Sequence, residues 1–212
     1  MKLCTLTDVK TLLGITDTVQ DDMLDLLIRQ ESALICAYLG FNPALDEYTD
    51  ELQAVNNQQL LALNNRPIRN VSKVMINGEE IADYKVLPQY AKIGYLYRGS
   101  GWSGSWYTRG MTYDPVAGAY DISVTYTAGW DLPGDAGYVE GAEGSLPFDI
   151  VTACTEAVAE RFSVASAGAQ GIKSHSEGGI STTFEGSESL GGGGLSKRVM
   201  GMLEPYKMVG VA

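Results

Sequence analysis

The sequence predicts an α+β protein. It reads as mainly a helical bundle of long amphipathic helices, with an inserted small antiparallel β-sheet and an extended C-terminal arm. Three observations carry this reading. Two long segments, residues 18–39 and 147–165, space their apolar residues at helical intervals. Between them, Tyr120, Ile122, Val124 and Tyr126 alternate strictly with Asp121, Ser123, Thr125 and Thr127, as on a half-buried strand. Near the end, Gly191–Gly194 form a run of four glycines before a short apolar and basic segment.

Taken in order, Thr5-Leu6-Thr7-Asp8 has the form of a capping box, and Leu6, Val9, Leu12 and Leu13 give the helix it opens an apolar side. Gly14 stops it in the left-handed conformation. Thr18-Val19-Gln20-Asp21 repeats the device. The helix it starts carries Leu24, Leu27, Ile28, Leu34, Ile35, Tyr38 and Leu39 on one side. Asp21, Asp22, Asp25, Arg29, Ser32 and Cys36 lie opposite. Glu31 falls inside the apolar stripe, either as an edge residue or as a subunit-interface contact. Residues 41–57 read as a polar connection. Residues 58–65 lead as a short strand into the sheet. Asn77-Gly78, between Val74-Met75-Ile76 and Glu79-Glu80-Ile81, is the sequence of a type I′ hairpin turn. Tyr84, Val86, Ile93, Tyr95 and Tyr97 continue the period of two. Trp102 and Trp106 sit in a Gly/Ser loop. They either fold back on the sheet or form a contact tip for a downstream partner.

Residues 131–145 are Gly-rich and acidic. In the helix after Pro147, Val151, Cys154, Val158, Phe162 and Ala165 make the buried stripe. Asp149, Thr152, Glu156, Glu160 and Ser163 make the wet one, and Arg161 is placed to pair with an acid across a helix interface and, with Glu31, is a candidate for the subunit interface. Residues 171–184 form a loose polar hairpin that needs a partner surface. Ser196 caps a last helix, 197–203, too short to stand alone in water. The domain reading is therefore 1–57 with 146–168 as the bundle and 58–130 as the inserted β subdomain. Residues 131–145 are the acidic loop, and 169–212 are the hairpin and docking arm. In the arm, Lys197, Arg198, Val199, Met202, Leu203 and Tyr206 are the docking candidates.

The composition restricts function. Acidic residues outnumber basic ones, 26 to 15, for a formal charge of −11. Such a surface repels phosphates, so DNA is not gripped along an outer face, although it can slide past. The same charge also serves solubility. The three cysteines, Cys4, Cys36 and Cys154, lack metal spacing and read as reduced thiols. The N-terminus has no apolar run of signal-peptide form before Asp8 and Lys10. His175 is the one histidine, so neither a triad nor a histidine-rich zinc site is legible. The glycine run lacks the Lys-Ser/Thr ending of a phosphate loop. No catalytic, cofactor or metal residues are assigned, and the protein reads as a non-enzyme without cofactors.

The order of these pieces resembles a known family. Leu6-Thr7-Asp8-Val9-Lys10 precedes a long helix ending in Tyr38-Leu39-Gly40. Arg66-Pro67-Ile68-Arg69-Asn70-Val71 opens a β-insertion, and Leu96-Tyr97-Arg98 precedes the Gly/Trp loop. Ile122 to Trp130, the helix from Pro147, the hairpin and Leu203-Glu204-Pro205-Tyr206 complete the pattern. This resembles the head–tail connector (adaptor, or neck) proteins of tailed bacteriophages across nearly the whole chain. The resemblance implies a virion protein, made in the host cytoplasm, whose copies form a ring of roughly twelve beneath the portal. Its partners would be the portal protein, its own copies and a downstream neck or tail protein, with the docking candidates of the arm meeting the portal or a neighbouring copy. DNA would pass through the channel without specific binding, and no membrane is involved. Two alternatives stay open: another neck, tail-completion or baseplate component, and an enzyme with an unfamiliar site.

Overall fold

A computed structural model of the protein describes residues 1–54, 58–102, 120–166, 174–177, 180–183 and 194–208. The chain divides into two compact units. One comprises residues 1–42 and 131–212, and the other is Pro43–Trp130.

In the first unit, α1 (Leu6–Leu13) starts on the capping box: Thr5 Oγ1 accepts from the Asp8 amide, and Asp8 accepts from the Thr5 amide. Gly14 ends it at φ 69°. The second box does not form. Helix α2 (Asp21–Leu39) begins three residues later than Thr18, after Gln20, with no side-chain cap. Helix α4 (Phe148–Ser166) is the centre of the unit, with α1, α2 and α5 (Lys197–Leu203) packed on it. Ile150, Val151, Ala153, Cys154, Ala157, Val158 and Phe162 of α4 are buried. Leu24, Leu27, Ile28, Ile35 and Leu39 of α2 are buried as well. Ser32 departs from the wet side expected of it. It is buried, accepts the Leu3 amide at 3.0 Å, and so tucks the N-terminal segment beside Cys154. The acidic loop 131–145 is built into the unit by Asp131 N–H to Gly144 O, Leu132 N–H to Asp135 Oδ2 and Val139 N–H to Ser145 Oγ. Leu132 and Leu146 anchor it in the core. The hairpin β8 (Ser174–Glu177) and β9 (Ile180–Thr183) pairs with itself.

Among its described residues the second unit holds seven strands. They are β1 (Asp46–Ala54), β2 (Leu60–Ala62), β3 (Ile68–Ile76), β4 (Glu79–Glu80), β5 (Tyr84–Lys85), β6 (Tyr95–Arg98) and β7 (Tyr120–Ala128). The short helix α3 (Pro88–Ala91) lies between β5 and β6. One antiparallel sheet has the order β1-β7-β3-β4 and the other β2-β6-β5. Asn77 at φ 51° and Gly78 at φ 83° turn β3 into β4, as a type I′ turn requires. Leu61, Leu63, Ala91, Leu96, Val74, Ile122, Val124, Tyr126 and Ala128 form the core. The closest backbone approach is at Gly129, φ 106°, where a Cβ would lie 2.2 Å from the Ala44 carbonyl oxygen.

The expectation of a mainly helical bundle is overturned. Among the described residues only α2 and α4 are long helices, at 19 residues each, and the strands form a unit with a core of its own. The β unit starts at Pro43, not at residue 58, because β1 was hidden in the polar connection. On the face of β1 shared with Tyr48 and Leu52, opposite Tyr126 and Ile122, stands Asp50. A buried acid at an inward position breaks the apolar alternation by which a strand is recognised. Asp50 Oδ2 accepts from the Tyr126 hydroxyl and the Asn64 amide, both at 2.7 Å, and the Asn65 amide donates to the Tyr126 oxygen. These bonds replace the water lost on burial.

Candidate functional site

The sequence placed its docking candidates on the C-terminal arm, and the structure shows what that arm does in one copy. Ser196 caps α5, accepting the Val199 amide. Val199 and Leu203, one turn apart, are fully buried, and Leu195 joins them. They pack in the helical unit, with α5 against α4. Docking is therefore intramolecular, and the apolar residues assigned to the portal or a neighbour are core residues here. This follows from α4: its wet stripe is the face that receives the arm. Ser196 Oγ donates to Glu160 Oε1 at 3.1 Å, and Arg198 Nη2 to Glu156 Oε1 at 2.6 Å. Beyond α5, Tyr206 donates to Asp149 Oδ2 at 3.1 Å. Tyr38 donates to Glu204, the Met208 amide to the Leu39 carbonyl at 2.8 Å, and Lys207 lies over the Tyr38 ring. On the outer side, Lys197 and Arg198 are exposed and Met202 is half-buried.

Glu31 and Arg161, the proposed subunit contacts, meet each other within the chain. Arg161 Nε donates to Glu31 Oε1 at 2.9 Å and joins α4 to α2. The Glu31 side chain is 2% exposed, so it offers no surface to a neighbour. Burial pushes its carboxyl above the ordinary value, and the pull of Arg161 only partly offsets this. Gly194 passes over the pair: a Cβ there would lie 3.4 Å from Arg161 Nη2.

The tryptophans divide. Trp102 folds back into the β-unit core, 1% exposed, with its indole N–H donating to the Gln59 carbonyl at 3.1 Å. It is a packing residue, and its assignment as a partner contact is withdrawn. Trp106 lies outside the described residues.

An open groove at one end of the four-stranded sheet is lined by Glu51, Gln53, Met75, Asp121, Ile122 and Ser123. Gln53 binds the Asp121 carboxylate at 3.2 Å. Among the described residues no cluster of histidine, cysteine or acidic side chains is able to hold a metal ion. No helix among them is long and apolar enough to cross a membrane.

A family model described as "Head completion protein" matches residues 2–209. The chain belongs to the head completion protein family. It is thus a structural protein of tailed phages and phage-like particles, acting at the junction of head and tail. No curated protein sequence matches it. Among solved structures, the chain is similar to one in the neck of an empty gene transfer agent particle computed with C6 symmetry. That likeness has 15% identity and a TM-score of 0.53, and covers 99% of this chain and 92% of the other. A second likeness, to a chain in the virion of a native gene transfer agent particle, has 14% identity, 92% and 81% coverage and a TM-score of 0.47. The sequence alone missed Glu156, Glu160 and Asp149 as the arm's acceptors. Their helical spacing marked a polar stripe, but nothing local distinguishes a stripe facing water from one facing another helix.

Proposed function

We propose that copies of this protein form a closed ring in the neck, beneath the portal, which extends the DNA channel and carries the next neck or tail protein. The observation that carries the reading is the family match over nearly the whole chain; the full-length likeness to a chain in a neck computed with C6 symmetry adds to it. A ring of roughly twelve copies, joined by repeated head-to-tail contacts, fits a junction of cyclic symmetry. The formal charge of −11 suits a channel wall that must not hold phosphates. The docked arm presents Lys197, Arg198 and Met202 on its outer side, and we assign that side to the portal. The test is a particle lacking the protein. It packages DNA but leaks it or fails to join tails, and cryo-EM of complemented particles shows a ring of this chain beneath the portal. Normal tail joining in its absence overturns the proposal. A position at the baseplate would favour the alternative of a tail-end component.

A further inference from the structure

The helix α2 buries one side against α4 and α1 and leaves the other bare. Along the bare side stand Met23, Leu26, Gln30, Ala33 and Ala37, all exposed. Their spacing alternates three and four residues, a mean period of 3.5, as in the seam of two packed helices. Val19, in the turn before the helix, continues the series one step back and is 88% exposed. Met23 and Leu26 are 40% and 47% exposed. From Met23 to Ala37 the row runs about 21 Å along the helix. It contains no charged residue, although the helix itself carries Asp21, Asp22, Asp25, Arg29 and Glu31. The large side chains lie at one end and the alanines at the other, so a partner helix could approach closely over the second half.

We infer that this outer stripe of α2 is one half of the contact between neighbouring copies of the chain. The inference rests on the ring reading and gives it a surface. Charge selects the occupant. Each copy carries a formal −11, so two copies repel wherever their acidic faces meet, and a self-contact must use a face free of like charge. A basic partner would instead be drawn to Asp22 and Asp25 on the same helix. The stripe is uncharged along its whole length, with Gln30 its one polar member, which suits a second acidic chain. A closed ring also requires every copy to offer two unlike faces, and a straight helical seam provides one of them with a fixed angle.

The test uses whole particles. A photoreactive benzoyl-phenylalanine is placed at position 26 of the full chain, and particles assembled with it are irradiated and run on a denaturing gel. A product of twice the chain mass is expected. A product joining this chain to a different virion protein overturns the inference, and so does irradiation that leaves the chain mass unchanged in particles that contain it. If the chain is absent from particles, the ring reading falls first and takes this inference with it. A second arm uses the double variant Met23→Asp, Leu26→Asp. Both side chains are exposed in the single copy, so its thermal unfolding should match the parent. Its incorporation into particles should fall roughly tenfold or more, as expected for unpaired charges forced into an apolar contact. Parental incorporation overturns the inference.

Discussion

Among the described residues each unit of the chain buries one carboxylate, and the two are handled differently. In the helical unit Glu31 faces Arg161 across α2 and α4, and the arginine keeps 37% of its side chain in water. In the β unit Asp50 has no cation among the partners described for it. Its oxygen is held by a phenol and a backbone amide. An ion pair joins two helices distant in sequence, and its worth depends on both charges being present. Neutral donors stabilise an acid without a counter-charge, and they also fix the 64–65 turn against β7. The helical unit therefore gains a junction sensitive to pH and to charge reversal. The β unit gains a rigid corner whose burial also pushes the Tyr126 phenol far above its ordinary value.

This contrast is testable because all three tryptophans, Trp102, Trp106 and Trp130, fall in the 43–130 segment. Tryptophan fluorescence therefore reports the β unit, and far-ultraviolet circular dichroism is dominated by the helices. The largest effect is expected from deleting residues 195–212. Leu195, Val199 and Leu203 are buried, at about 1.5–3 kcal/mol each, so the helical signal should melt several degrees or more earlier while fluorescence moves little. Unchanged melting would mean that the arm is not part of the core.

Next comes Arg161→Met, which leaves Glu31 buried without its partner and should cost on the order of 3 kcal/mol near neutral pH. The sign of its pH dependence follows from the raised Glu31 value. A carboxyl whose folded pKa lies above its unfolded one contributes most at low pH, and that contribution is lost as pH rises through the folded value. Removing Arg161 raises the folded value further. Urea titrations should therefore show the defect shrinking as pH falls towards the ordinary carboxyl value of 4.5. A defect that grows on acidification would contradict this account.

Tyr126→Phe is a smaller change. It strips one donor from Asp50 and one acceptor from the Asn65 amide, for about 1–2 kcal/mol, and it should appear in fluorescence before circular dichroism. The smallest effect is Thr5→Ala, which removes the capping box of α1 for about 1 kcal/mol in the helical signal alone. Equal shifts of both probes in either variant would show that the two units unfold together.

Local patterns in the sequence determined a good deal. Thr5 and Asp8 cap α1, Asn77-Gly78 turns β3 into β4, and the alternation of Ile122, Val124 and Tyr126 places β7 in a core. Each of these is decided by residues within a few positions of one another, through backbone geometry or side-chain period, and so needs no knowledge of the rest of the chain. The order of such pieces also carried the family resemblance. What tertiary structure decided was which polar side chains leave water. Asp50, Glu31 and Ser32 look like surface residues by type, yet each is buried by partners 29 to 130 positions away, or on another strand. The arm shows the same limit. Val199 and Leu203 announce that the last helix must dock, because apolar area needs cover. Only the fold shows that the nearest cover is the polar stripe of its own α4, where Glu156 and Glu160 supply the acceptors that Arg198 and Ser196 require.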